Sequence, residues 1–84
     1  MSVKEFFEEM AGKRIVVYVC DKNDNIECII KMKSIFDYVE EGVYVNVYDR
    51  EENMIRVPAD GKIIDDGDGE YRCLTGEKIF IFSC

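Results

Sequence analysis

The sequence contains no histidine. That absence removes the commonest general base and the commonest zinc ligand, and with them Ser-His-Asp, Cys-His and His-containing zinc chemistries. No stretch approaches the roughly 18 consecutive apolar residues that a membrane helix requires. The N-terminus also lacks the apolar core of a signal peptide, so the expected setting is cytoplasmic, with no membrane partner. Cations are scarce: 11 Lys and Arg stand against 18 Asp and Glu, a net charge of −7. That balance argues against nonspecific phosphate binding, whose affinity comes from Lys and Arg displacing counterions. What is present is a chain of 84 residues, 48% of them apolar, well above the disordered class. One domain over 1–84 is expected, burying roughly 60% of its unfolded surface, enough for a core but not for a large enclosed substrate cavity.

The charge is uneven. Residues 1–35 hold six acids and six bases, 36–70 hold eleven acids and three bases, and 71–84 hold one acid and two bases. The middle third is the acidic part. The four cysteines, Cys20, Cys28, Cys73 and Cys84, contain no CxxC pair, so zinc-ribbon and thioredoxin-type motifs lack their spacing. Cys20 and Cys28 sit in strand-like apolar contexts, where a free thiol behaves as a small hydrophobe. Reduced thiols in the cytosol are the favoured reading; two bridges in any of three pairings stay open.

Ser2 followed by Glu5 forms a capping box, and Val3, Phe6, Phe7 and Met10 recur at helical spacing. A helix over 2–11 is predicted, stopped by Gly12, with its apolar face packed on the protein's own sheet. From Lys13 the signal is β. Arg14–Cys20 is apolar on both faces, and Asp21–Asn25 is a cluster of turn formers. A second strand is predicted from about Ile26 to Tyr38, long enough to bend. Val43, Val45 and Val47 alternate with Tyr44, Asn46 and Tyr48. Met54–Val57 runs to Pro58, Asp60-Gly61 signals a two-residue hairpin, and Lys62–Ile64 returns. Tyr71–Leu74 and Ile79–Phe82 complete the sheet. The fold expected is mainly β: the helix, then a strongly bent five-stranded antiparallel small barrel over 13–83, with room for an extra hairpin in the 50–66 region.

Three segments carry a family resemblance. Gly12-Lys13-Arg14-Ile15-Val16-Val17 after a helix, Phe36-Asp37 followed by a turn and Val43-Tyr44-Val45, and Cys73-Leu74-Thr75-Gly76-Glu77-Lys78-Ile79-Phe80-Ile81-Phe82 resemble the first strand and two motifs of the Sm and Sm-like family. The resemblance implies an Sm-like/SH3-like barrel, assembly into rings, and RNA contacts at Asp37, Glu41, Thr75 and Gly76. Glu40-Glu41 stand where the family usually carries Met-Asn, Thr75 where it carries Arg, and Lys31 near a mid-strand glycine. Losing the Asn and the Arg weakens base recognition and stacking. The resemblance further implies subunit pairing through strands near 70–74 and 79–83, with Tyr71, Cys73, Ile79, Phe80, Ile81 and Phe82 at the interface. Four apolar residues at 79–82, read as an exposed terminal edge strand, point the same way.

The remaining signals are weaker. Asp21, Asn23 and Asn25 imitate the start of a calcium loop, but Ile26 and Met32 occupy the positions of its glycine and bidentate Glu. Asp66, Asp68 and Glu70 around two glycines read as a solvated hairpin tip, so no metal or cofactor is expected. The glycines at 67–69 lack a Gly-Lys-Ser/Thr element and are not a phosphate loop. Carboxylate pairs such as Asp65/Asp66 sit in turns, and a cysteine nucleophile has no His, so no enzyme is expected. Two functions are carried forward. One is an oligomeric Sm-like module with weakened RNA recognition or a protein-interaction role. The other is an acidic inhibitor or nucleic-acid mimic that presents Glu40, Glu41, Asp65, Asp66 and Asp68 to a basic protein.

Overall fold

The computed structural model describes residues 1–84, apart from the side chain of residue 36. The order is α1 (Val3–Glu9), β1 (Ile15–Cys20), β2 (Ile26–Met32), β3 (Ile35–Glu41), β4 (Tyr44–Asp49), β5 (Met54–Pro58), β6 (Lys62–Gly67), β7 (Glu70–Leu74) and β8 (Ile79–Ser83). A five-stranded sheet runs β2-β1-β8-β7-β6 and a three-stranded sheet runs β3-β4-β5, with every pairing antiparallel. The mainly β class with one N-terminal helix is as expected. The strands number eight instead of five.

Helix α1 starts where its capping box predicts. Ser2 Oγ accepts from the Glu5 amide at 3.1 Å, and Glu5 Oε1 accepts from the Ser2 amide at 3.2 Å. Its stripe of Val3, Phe6, Phe7 and Met10 is buried. The Phe6 ring lies 4.9 Å from Phe82, 5.0 Å from Tyr71 and 5.1 Å from Phe7. The helix therefore closes the protein's own core. Burying each Phe contributes about 1.5–3 kcal/mol, an upper figure before ordering entropy.

The strand expected over 26–38 breaks at Lys33-Ser34 and changes sheet. Ser34 turns with φ +55°. Three bonds fix the corner: Gly12 N–H to Ile35 O (2.6 Å), Ile35 N–H to Lys13 O (3.1 Å), and Lys33 N–H to Asp49 Oδ2 (3.1 Å). A second corner corrects the expectation at Asp60-Gly61. β5 pairs with β4 and β6 with β7, so no hairpin joins β5 to β6 in the 50–66 region. Instead Gly61 N–H bonds Pro58 O at 3.0 Å and the chain passes to the other sheet. Glycine is needed there for closeness: a Cβ at Gly61 would stand 2.5 Å from Cys73 Sγ and 3.1 Å from Pro58 O.

β8 is not an edge. It pairs with β1 on one side and β7 on the other, at the centre of its sheet, which overturns the edge-strand argument made for 79–82. Cys73, Phe80 and Phe82 point into the core, while Ile79 and Ile81 are half-buried on the opposite face.

Candidate functional site

A groove opens between β4–β5 and the turn joining β7 to β8. Its inner part, about 160 Å³, is lined by Tyr44, Arg56, Pro58, Thr75, Lys78 and Phe80. An outer part shares Tyr44, Pro58 and Glu77 with it and adds Val43, Asp60 and Gly76. The register explains the grouping. Tyr44 opposes Pro58 and Asn46 opposes Arg56, so strand alternation sets Tyr44 and Arg56 on one face of the three-stranded sheet. Gly42, with φ +60°, makes the tight turn from β3 to β4 and leaves Val43 71% exposed at the groove's mouth.

Both cations of the groove are already engaged. Arg56 Nε donates to Asn46 Oδ1 at 2.9 Å, its Nη2 reaches Glu41 Oε1 at 3.4 Å, and its guanidinium lies 5.0 Å over the Tyr44 ring. Asn46, 2% exposed, completes the triangle by donating from Nδ2 to Glu41 Oε2 at 2.9 Å. Lys78 Nζ donates to Glu27 Oε1 at 2.5 Å, and this hydrogen bond holds the ammonium's pKa above its usual value. Asp60 and Glu77, by contrast, are in no ion pair among the described residues. The groove thus offers apolar and aromatic surface, neutralised cations and unpaired carboxylates.

Thr75 has a structural task. Its Oγ1 donates to Lys78 O (2.8 Å) and accepts from the amides of Lys78 (2.9 Å) and Glu77 (3.3 Å), closing the 75–78 turn. Of the residues expected to contact RNA, Thr75 and Gly76 line the groove and Glu41 holds its arginine. Asp37 lines a different, open depression with Lys4, Tyr38 and Glu40. The side chain of Phe36, quoted with Asp37 in the first motif, lies outside the described residues.

The expected acidic surface is dispersed. Glu40 pairs with Lys4 at 3.6 Å, Glu41 with Arg56, and Asp66 with Arg72 at 2.7 Å. Asp65 accepts from the Gly67 amide at 2.8 Å, and Asp68, at φ +53°, forms the tip of the β6–β7 turn. The calcium-like cluster is a local turn too: Asp21 Oδ1 accepts from the amides of Asn23 (2.8 Å) and Asn25 (3.0 Å). Among the described residues no group of three or more Cys, Asp or Glu converges as metal ligands. All four cysteines are free thiols, with Cys20 and Cys73 buried and Cys28 and Cys84 exposed. No helix among the described residues is long and apolar enough to cross a membrane.

Sequence reasoning missed Tyr44, Arg56, Asn46 and Asp49. Tyr44 and Arg56 fall on the polar phase of strands whose alternation was readable, which was a usable signal. Their convergence on the 75–78 turn depends on two sheets meeting, which no local pattern encodes. Compared with known proteins, the chain matches no family model, no curated protein and no solved structure.

Proposed function

We propose that the protein is a non-enzymatic interaction module whose groove takes a basic partner segment bearing apolar side chains. The observation that carries this reading is the groove's charge state: Arg56 and Lys78 are held by Glu41 and Glu27, while Asp60 and Glu77 carry no ion pair. A polyanion would meet neutralised cations on a chain of net charge −7. A Lys- or Arg-bearing peptide meets free carboxylates beside Tyr44, Pro58 and Val43, an aromatic and apolar surface of the kind that anchors peptides. This combines the protein-interaction role of an Sm-like module with the acidic partner-binding alternative, and moves the acidic contact from Glu40, Glu41, Asp65, Asp66 and Asp68 to Asp60 and Glu77.

The Sm-like/SH3-like reading of the fold belongs to the same proposal. β3 continues β2 across the Lys33-Ser34 corner, and β6 continues β5 across Ala59–Gly61. Pairing then passes from β1 to β2/β3, β4, β5/β6, β7 and β8, and returns to β1, a circuit that supports a small barrel with two bent strands. Four unpaired thiols fit a reducing cytoplasm.

Fluorescence anisotropy with a labelled peptide alternating Lys or Arg with Leu and Tyr tests the site. Binding is expected to weaken with salt, and to weaken roughly tenfold or more in the double variant Asp60→Lys/Glu77→Lys. Tyr44→Ala should weaken it by a comparable factor. Binding that is unchanged in the double variant sinks the reading.

A further inference from the structure

An edge strand carries a row of unpaired N–H and C=O groups, a template for a further strand. Of the four edge strands, β2, β6, β3 and β5, it is β5 that lines the groove, through Arg56 and Pro58. The bonds at either end of the β4–β5 ladder set the direction of its backbone. Asp49 N–H bonds Asn53 O at 3.1 Å, and Ala59 N–H bonds Val43 O at 2.7 Å. Between them the register is unbroken, with Val47 opposite Ile55 and Val45 opposite Val57. Bonded and non-bonded pairs alternate along an antiparallel ladder, so these two pairs bond across to β4, and the N–H and C=O groups of Met54 and Arg56 point the other way. Among the described residues no strand pairs with β5 on that side. Pro58 ends the row, since its nitrogen carries no hydrogen and its carbonyl accepts from the Gly61 amide at 3.0 Å.

The open side of β5 faces the other wall of the groove. Beyond Pro58 the chain turns away from β4 and passes against β7 and the turn after it: a Cβ at Gly61 would stand 2.5 Å from Cys73 Sγ and 3.3 Å from Thr75 Cγ2. The groove is therefore the gap between an unpaired strand edge and the 75–78 turn, about 160 Å³ in its inner part and about 290 Å³ in its outer part. β3, the other edge of the same sheet, is flanked by α1 instead. There Tyr38 Oη donates to Glu8 Oε1 at 2.8 Å and Lys4 pairs with Glu40 at 3.6 Å.

We infer, resting on the groove reading above, that the partner segment binds as an extended strand added to β5. Its main chain bonds the free N–H and C=O of Arg56 and of Met54, while the Arg56 side chain stays on Glu41 and Asn46. Alternation lays one set of its side chains along Tyr44 and Pro58. A Lys or Arg at the Pro58 end of the added strand meets Asp60 and Glu77, which are in no ion pair among the described residues. A helical segment has its own backbone groups already bonded and leaves those of β5 unmet, so the site selects a partner that is extended as well as basic.

The test uses the labelled Lys/Arg–Leu/Tyr peptide and two further forms of it, N-methylated at the odd residues in one and at the even residues in the other, with the full chain. An added strand turns one of these two sets of N–H groups toward β5 and the other away from it. One form is expected to bind roughly tenfold or more weakly than the parent, and the other about as tightly as the parent. In hydrogen exchange on the native protein, saturating parent peptide should slow the Met54 and Arg56 amides roughly tenfold or more. Equal loss in both methylated forms, or no slowing at those two amides with the parent bound, overturns strand addition and leaves the groove reading standing. A parent peptide that does not bind overturns the groove reading and strand addition with it.

Discussion

Asp49 carries a carboxylate only 2% exposed, with a hydrogen bond to every face it presents. Oδ1 accepts from the amides of Glu51 (2.9 Å) and Asn53 (2.8 Å), and Oδ2 from the Lys33 amide (3.1 Å) and Asn53 Nδ2 (2.8 Å). Burial raises its pKa, but the bonds from Asn53, Lys33 and Glu51 outweigh burial and leave it below the usual carboxylate value. Since the folded carboxyl titrates below the unfolded one, the unfolded chain takes up its proton first on acidification. The stabilisation is complete above the ordinary carboxylate range and is lost as pH falls through the folded value. Asp49→Asn should cost about 2–3 kcal/mol in urea unfolding at neutral pH, with the gap to wild type closing in acid. An equal gap at both pH values would refute the assignment. In the sequence this residue was one acid among many in Asp49–Asn53, and only the folded corner distinguishes it. Thiol chemistry gives a second check. Burial, with a smaller push from Asp60, raises Cys73 to about 12, and Cys20 is buried as well. A thiol reagent should therefore modify Cys28 and Cys84 in the native protein and reach Cys73 only on unfolding, which mass spectrometry of the labelled chain will show.

At the scale of elements, what was local was legible. The capping box and the spacing of Val3, Phe6, Phe7 and Met10 specify α1, and the alternation over 43–48 specifies β4, because each signal is contained in one turn or one pleat. The two corners were not legible. A sheet switch at Ser34 depends on bonds from Gly12, Lys13 and Asp49, and Asp60-Gly61 has the letters of a hairpin but serves as a corner. Gly61 is small because Cys73 lies against it. Gly61→Ala should destabilise by about 1–3 kcal/mol in equilibrium unfolding. Adding Cys73→Ala removes the obstructing sulfur, so the double variant should lose less than the sum of the two single changes. Simple additivity would mean that the glycine serves some other purpose.

For the whole molecule, the charge of −7 was readable from composition, but its meaning changed once the chain was folded. The acids at 27, 40, 41 and 66 are spent on Lys78, Lys4, Arg56 and Arg72. The turn between β7 and β8 brings Thr75 and Gly76 to the groove, where Thr75 closes that turn and Arg56, from β5, supplies the guanidinium of the lining. The proposed preference of this groove is for a basic, apolar-bearing peptide over RNA. Amide chemical-shift mapping at physiological salt, titrating the labelled protein with the Lys/Arg–Leu/Tyr peptide and separately with oligouridylate, tests it most directly. The predicted result is saturable shifts at Tyr44, Gly76 and Glu77 with the peptide and none with oligouridylate; shifts at those residues with oligouridylate alone would contradict it.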